Sequence, residues 1–232
     1  MASDPSSQNM RFYVLEKLRE GHHDTEFNRL GSNLGPSLRC PQCGDTIGGL
    51  SWLPPYQGEL ELHGKDFGDL IMGPCGGLLL TERFAEDYKA EGLTGLSGFH
   101  PVEVMRVRRK HRGPKAGPPP SYLFVNPAYG HPSLDMERSR IRSKKTMTCT
   151  WCRYVGADAI DGLTLEAGTW NGEDVFRPRG LWGVLLVSER FMRFTEKHAL
   201  SHMSLVPIEK YVWDPLGLYH SRSLQLKSPN KS

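Results

Sequence analysis

Two Cys-x-x-Cys pairs, each followed by the same six-residue phrase, constrain this chain more than any other feature. The first pair is Cys40-Pro41-Gln42-Cys43, followed by Gly44, and the second is Cys149-Thr150-Trp151-Cys152, followed by Arg153. Downstream of the first pair the phrase reads Leu79-Leu80-Thr81-Glu82-Arg83-Phe84, and downstream of the second it reads Leu186-Val187-Ser188-Glu189-Arg190-Phe191. A duplicated unit with one cysteine knuckle per copy predicts an α+β fold of two similar α/β repeats. If the repeats are related by a pseudo-two-fold axis, the knuckles can meet across it. The long separation between Cys43 and Cys149 then needs no other explanation.

Four thiolates in two such turns suit one structural Zn2+ per chain, held by Cys40, Cys43, Cys149 and Cys152. A Cys-x-x-Cys turn delivers two sulfurs to one tetrahedral ion at about 2.3 Å each. Gly44 fits a knuckle because glycine tolerates the positive φ that turns backbone amides toward sulfur. Arg153 stands where that glycine is expected in the second pair. A redox pair is the competing reading, but such a pair opens a helix in a thioredoxin-like βαβ pattern. Unligated thiols are the third. Cys75, in Gly73-Pro74-Cys75-Gly76-Gly77, has no partner at metal spacing and reads as a small buried residue.

The rest of each repeat follows from local signals. Arg11 to Glu16 reads as a first strand. Leu78 to Leu80 and Trp182 to Val187 are apolar runs that end at Thr81 and Ser188, both good helix N-caps. Glu82 and Glu189 suit the first helical turn, where the dipole favours negative charge. The first helix is expected to reach Glu91 and stop at Gly92, and the second to reach His198. Alternation predicts strands over Val102 to Val107 and Ile208 to Trp213.

The chain has 232 residues and 38% hydrophobic content, enough for a real core. Residues 1–9 read as a tail, 10–109 as the first repeat, 110–121 as a linker, 122–215 as the second repeat and 216–232 as a second tail. The linker contains Pro118-Pro119-Pro120, which neither a helix nor a central strand accommodates. No apolar run is long enough for a transmembrane span, and Met1 to Asn9 has no signal-peptide core. Cysteines used in knuckles suit a reducing compartment, so the expected location is cytoplasmic.

Net charge is only +3, but it is unevenly spread. Basic residues dominate from Met105 to Lys145, including Arg106, Arg108, Arg109, Lys110 and Arg112. Without interleaved aromatics, that stretch reads as a solvated linker ahead of a nucleic-acid contact. Asp158, Asp161, Glu166, Glu173 and Asp174 lie in a segment with no base. The histidines form no metalloprotease pattern, and neither nucleophile-elbow nor phosphate-loop signatures occur. The chain reads as a non-enzyme.

The double knuckle, the strand-like start and the repeated hydroxyl-Glu-Arg-Phe phrase together resemble the double-CxxCG motif family described from Myxococcus paralogues. The resemblance spans Met10 to Pro215. Cys40, Cys43 and Gly44 match the first motif, and Cys149 and Cys152 match the second without its glycine. That family is associated with immunity proteins of polymorphic and swarming-inhibition toxins. The resemblance therefore implies a partner, a cognate toxin domain encoded by a neighbouring gene and in many cases a nuclease. An inhibitor of a nuclease commonly presents acids to a basic cleft. The candidate partner contacts are accordingly Asp158, Asp161, Glu166, Trp170, Glu173 and Asp174, with Trp170 as the aromatic anchor. A zinc-ribbon nucleic-acid-binding protein is the alternative.

Overall fold

The computed structural model describes residues 10–18, 20–110 and 117–219. The expected tail at 1–9, residues 220–232 of the expected tail at 216–232, and residues 111–116 of the expected linker lie outside the described residues.

The first part of the chain runs β1 (Phe12–Lys17), β2 (Thr25–Arg29), β3 (Leu34–Arg39), β4 (Thr46–Trp52), β5 (Gln57–Leu62), β6 (Leu70–Met72) and β7 (Leu78–Thr81). It continues through α1 (Glu82–Ala90) and the long β8 (Leu96–Arg109). The second part runs β9 (Tyr122–Ser133), β10 (Ile141–Arg142), β11 (Ala159–Asp161), β12 (Val175–Arg179) and β13 (Leu186–Ser188). It ends with α2 (Glu189–Lys197), β14 (Met203–Pro207) and β15 (Val212–Trp213). Among the described residues this is a mixed α/β architecture, with two α-helices against a curled ten-stranded sheet. The sheet runs β14-β1-β13-β12-β9-β8-β5-β2, with β7 and β6 branching from β9. Smaller sheets are β10-β11-β15 and β3-β4.

The two parts exchange their opening strands. β1 lies between β13 and β14, pairing Phe12 with Ser188, Val14 with Leu186 and Tyr13 with Pro207. β9 pairs in the same sense with β7 and β8, setting Tyr122 opposite Thr81, Phe124 opposite Leu79 and Leu123 opposite Pro101. The outer strands differ: β8 runs on to pair with β5, whereas the chain after β14 turns through Ile208–Lys210 into the short β15.

Burial on both faces explains the three leucines that open β7. Leu78 and Leu80 face one core while Leu79 faces another, as the two-residue period of a strand requires. The central core holds Phe84 and Tyr88 of α1 against Phe191 and Phe194 of α2. The Phe84 and Phe191 rings meet edge to face at 6.3 Å. On the opposite face of the sheet, one satellite core gathers around Trp52, Leu79 and Phe124, and another around Val14, Phe176 and Leu186.

Both helices begin where their caps predict. Thr81 Oγ1 accepts from the Phe84 amide at 3.4 Å, and Ser188 Oγ accepts from the Phe191 amide at 3.2 Å. Gly92 follows α1 at φ 64°, a left-handed conformation that glycine takes without a Cβ penalty. The apolar run from Trp182 to Val187 becomes a strand only at its end. Trp182 and Gly183 make a turn closed by Val184 N–H to Leu181 O at 3.1 Å, so β13 starts only at Leu186. The strand expected over Ile208 to Trp213 is likewise a 3-10 turn followed by two extended residues. Cys75, expected to be buried, is half-buried in the Pro74–Gly76 turn at φ 59°.

Candidate metal centre

The two knuckles come together. Cys40 Sγ lies 3.8 Å from Cys149 Sγ, and Cys43 Sγ lies 3.8 Å from Cys152 Sγ. All four sulfurs lie within 4.8 Å of one another. Tetrahedral metal–sulfur bonds of about 2.3 Å set sulfur–sulfur edges of about 3.8 Å, so the spacing matches a shared ion. A disulfide needs about 2.05 Å, and all four cysteines are free. Neither pair opens a helix: the first caps the β3–β4 hairpin, and the second lies in the connection from β10 to β11. The thioredoxin-like alternative therefore has no support in the fold. The cluster could hold a metal ion.

The same backbone turn builds both knuckles. Gly44 N–H donates to Cys40 O at 2.9 Å, and Arg153 N–H donates to Cys149 O at 3.0 Å. Gly44 has φ 76° and Arg153 has φ 52°, so arginine takes the glycine conformation. That costs a residue with a Cβ about 1–2 kcal/mol. The Arg153 side chain offsets part of it by pairing with Glu166 and donating to Leu134 O at 3.4 Å.

Burial shapes the thiols. Cys40, Cys149 and Cys152 are buried, while Cys43 is exposed. Tyr129, Trp151, Tyr154 and Trp182 pack around the cluster. Burial opposes ionisation of Cys40, yet amide donors at Cys43 and Gln42 outweigh it and lower its pKa to about 7. That is the electrostatics of a turn whose N–H groups point at sulfur. Arg179 stacks over Trp151 at 4.3 Å, screening one side of the site.

Glu26, Glu61 and His63 form a second group within metal-binding reach of one another. Lys17 already sits 2.6 Å from Glu26, and Lys110 sits 3.4 Å from Glu61. Ammonium groups therefore occupy the electrostatic role that a cation would take there.

The acidic segment is engaged with its own chain. Asp158 accepts from Lys144 N–H at 3.0 Å, and Asp161 pairs with Arg140 at 3.0 Å. Glu166 pairs with Arg153 beside the knuckle. Trp170 stacks edge to face on Phe12 at 5.3 Å and donates to Glu173 O at 2.8 Å. The Glu173 carboxylate accepts from Asn171 N–H at 3.1 Å. Asp174 leaves the candidate contact set, because it is 1% exposed. Its carboxylate accepts from Ser188 Oγ at 2.7 Å and from Thr94 N–H at 2.9 Å.

A matching arrangement surrounds Asp69, which sequence reasoning passed over. Asp69 accepts from Thr81 Oγ1 at 3.2 Å, Ser201 N–H at 3.0 Å and Ser201 Oγ at 2.7 Å. Arg83 reaches Asp69 at 2.8 Å and donates to His198 O at 3.3 Å. Arg190 reaches Asp174 at 3.4 Å and donates to Glu91 O at 2.6 Å. Each arginine of the repeated phrase thus ties its own helix start to the end of the other helix, where free carbonyls need donors. The available signal was an aspartate twelve or fourteen residues before each cap hydroxyl.

Part of the basic stretch is compensated by acids. Arg108 meets Glu59 at 2.7 Å, and Lys110 meets Glu61 at 3.4 Å, across the β8–β5 pairing. His202 is the buried histidine that sequence scanning left unassigned. Its Nδ1 is 2.8 Å from Leu70 O, and its Nε2 is 3.3 Å from Thr25 N. Those partners fix the neutral ring with the proton on Nδ1, and burial pushes its pKa down. No helix among the described residues is long and apolar enough to cross a membrane.

No protein-family model and no curated protein matches this chain.

Proposed function

We propose that this chain is a cytoplasmic immunity protein that binds and neutralises a cognate toxin domain encoded beside it. The observation that carries the reading is the meeting of Cys40, Cys43, Cys149 and Cys152 in one cluster. The double motif behind the family resemblance is one assembled site rather than two separate turns. A soft, all-thiolate, tetrahedral donor set suits Zn2+, and the ion's role is structural because all four positions are filled by protein sulfur. When bound, zinc supplies a covalent-strength tie between segments more than a hundred residues apart.

We further infer that the two halves are repeats related by a pseudo-two-fold axis, with their opening strands exchanged. The matched registers of β1 and β9 support this, as do the reciprocal Asp69–Arg83 and Asp174–Arg190 brackets. An inhibitor must hold its contact surface in one shape, and interlocked halves supply such a scaffold. On this reading Asp158, Asp161 and Glu173 provide acidic contacts to a basic cleft. Glu166 and Trp170 hold the segment that presents them. The nucleic-acid alternative is less well supported, because Glu59 and Glu61 already neutralise Arg108 and Lys110.

Co-expression tests the reading. Cells that carry the neighbouring toxin domain should survive only with this protein present, and the two purified proteins should form a stoichiometric complex. Reversing charge at Asp158, Asp161 and Glu173 together should weaken rescue while leaving the unfolding transition in place. Undiminished rescue removes those acids from the contact. Absence of any complex with a neighbouring toxin domain overturns the immunity reading.

A further inference from the structure

The four sulfurs of the knuckle cluster differ in what can reach them. Cys40, Cys149 and Cys152 are 3%, 5% and 1% exposed, whereas Cys43 is open to solvent. Its neighbours share that exposure. Pro41, Gln42, Gly44, Asp45 and Thr46 are all exposed, so the first knuckle carries Cys43 at a bare tip. In the second knuckle Trp151 and Arg153, on either side of Cys152, are half-buried. The sulfur pairs repeat the asymmetry: the Cys40–Cys149 pair is buried, and the Cys43–Cys152 pair only partly so. A small neutral oxidant therefore meets Cys43 first, because oxidation of cysteine follows exposure and thiolate character.

The partner for that sulfur is already in place. Cys152 Sγ stands 3.8 Å from Cys43 Sγ, and a disulfide of about 2.05 Å needs a further approach of about 1.8 Å. Cys75 lies outside the cluster, in the Pro74–Gly76 turn, and does not compete. An exposed sulfur beside a second, buried one is the arrangement of a reactive cysteine and its resolving cysteine.

We propose that Cys43 is a hydroperoxide-reactive site with Cys152 as its resolving thiol, so that oxidation replaces the shared metal with a Cys43–Cys152 disulfide. This rests on the zinc reading above, in which all four ligands are thiolates, the nucleophilic form of cysteine. The Cys43 thiolate attacks one peroxide oxygen; the O–O bond breaks, hydroxide leaves, and Cys43 becomes a sulfenic acid. The Cys152 thiolate then attacks Cys43 Sγ, the S–S bond forms, and a second hydroxide leaves. Two sulfurs give up two electrons, the peroxide is reduced, and two protons from solvent turn the hydroxides into water. Cys40 and Cys149 remain as two ligands in place of four, too few to keep the ion. The new bond joins the same two segments that the metal had joined, so the oxidised chain stays fastened where a chelated one does not.

The test uses the full chain, loaded with zinc and assayed for metal before hydrogen peroxide is added. A chain that takes up no zinc overturns the metal reading and this proposal with it. From the loaded chain, peroxide should release its zinc to a chromogenic chelator. Peptide mapping after free thiols are blocked should then find Cys43 linked to Cys152 as the main disulfide. Dimedone added with the peroxide should label Cys43 ahead of every other cysteine. Cys152→His keeps a zinc ligand but removes the resolving thiol, so it should accumulate the dimedone adduct at Cys43 well beyond the parent. Should that variant fail to fold, the parent's map and label decide alone. Zinc retained under peroxide, a first label on another cysteine, a main disulfide within one knuckle, or equal adduct in both chains overturns the proposal and leaves the metal reading standing.

Discussion

Replacing Asp174 with alanine should be among the most damaging single changes available outside the cysteines. Asp174 is 1% exposed and accepts from Ser188 Oγ at 2.7 Å and Thr94 N–H at 2.9 Å. Alanine leaves the buried Ser188 hydroxyl and the half-buried Thr94 N–H without an acceptor. Each costs about 1–3 kcal/mol, the penalty for a stranded polar group. The Arg190 pair adds little, because its guanidinium is 51% exposed and water screens it, which limits it to about 1 kcal/mol. The sum is about 2–7 kcal/mol, a large share of the stability of a typical domain. Asp174→Asn keeps one oxygen acceptor and should cost about 1–2 kcal/mol. Urea unfolding of the zinc-loaded protein reads both values from the midpoint at constant slope. Asp158→Ala is the surface control and should fall within about 0.5 kcal/mol of the parent. If Asp174→Ala costs less than about 1 kcal/mol, the bracket does not fasten the helices and the reasoning fails.

Two further outcomes follow from the site and from the buried histidine. Metal analysis of the purified chain should find one zinc, and Cys149→Ser should abolish it and lower the unfolding midpoint, because site assembly is coupled to folding; two zincs, or none under reducing conditions, refute the shared centre. His202 has a folded pKa below the ordinary 6.5, so the unfolded chain binds more protons between those values. Its contribution to stability is complete above the unfolded pKa and is lost as pH falls toward the folded one. His202→Asn, which suits the left-handed φ of 68° at this position, should flatten that part of the stability profile measured by urea titration. A variant with the parent's slope below pH 6.5 excludes His202 as the source.

What the sequence made legible is what short segments decide for themselves. Cysteine spacing located the knuckles, and cap hydroxyls with Gly92 bounded the helices to within a residue. Those signals act over a few residues, so no tertiary partner can easily overrule them. Partners distant in sequence decided the rest. β1 pairs with strands from the opposite end of the chain, and nothing in Arg11 to Glu16 names them. Asp174 read as one more acid in a glycine-punctuated loop, but Thr94 and Ser188 draw it inside. Arg153 read as a defect in the second knuckle. The backbone holds it in the glycine conformation, and Glu166 gives its side chain a reason to be there.

Two kinds of fastener hold the same interlocked chain, and they fail under different conditions. The cysteine cluster sits in its own small core with Ile47, apart from the core that contains Phe84 and Phe191. On the zinc reading its strength depends on metal and on deprotonated sulfur. The Asp69 and Asp174 brackets depend on carboxylates that accept from a hydroxyl and an arginine of their own half and from Ser201 or Thr94 of the other. For Asp69, burial works against ionisation, but Ser201 and Arg83 hold its pKa below the ordinary 3.8. Its contribution therefore persists through mild acid, where thiols already protonate and release metal. A chelator should loosen the knuckles while the helix pair stays packed on the sheet. The Asp174→Ala change should loosen the helix pair while zinc stays bound. Hydrogen exchange separates the two cases: the amides of Gly44 and Arg153 report the first, and those of Phe84 and Phe191 report the second. Simultaneous loss of protection at all four under either perturbation would mean one cooperative unit rather than two fasteners.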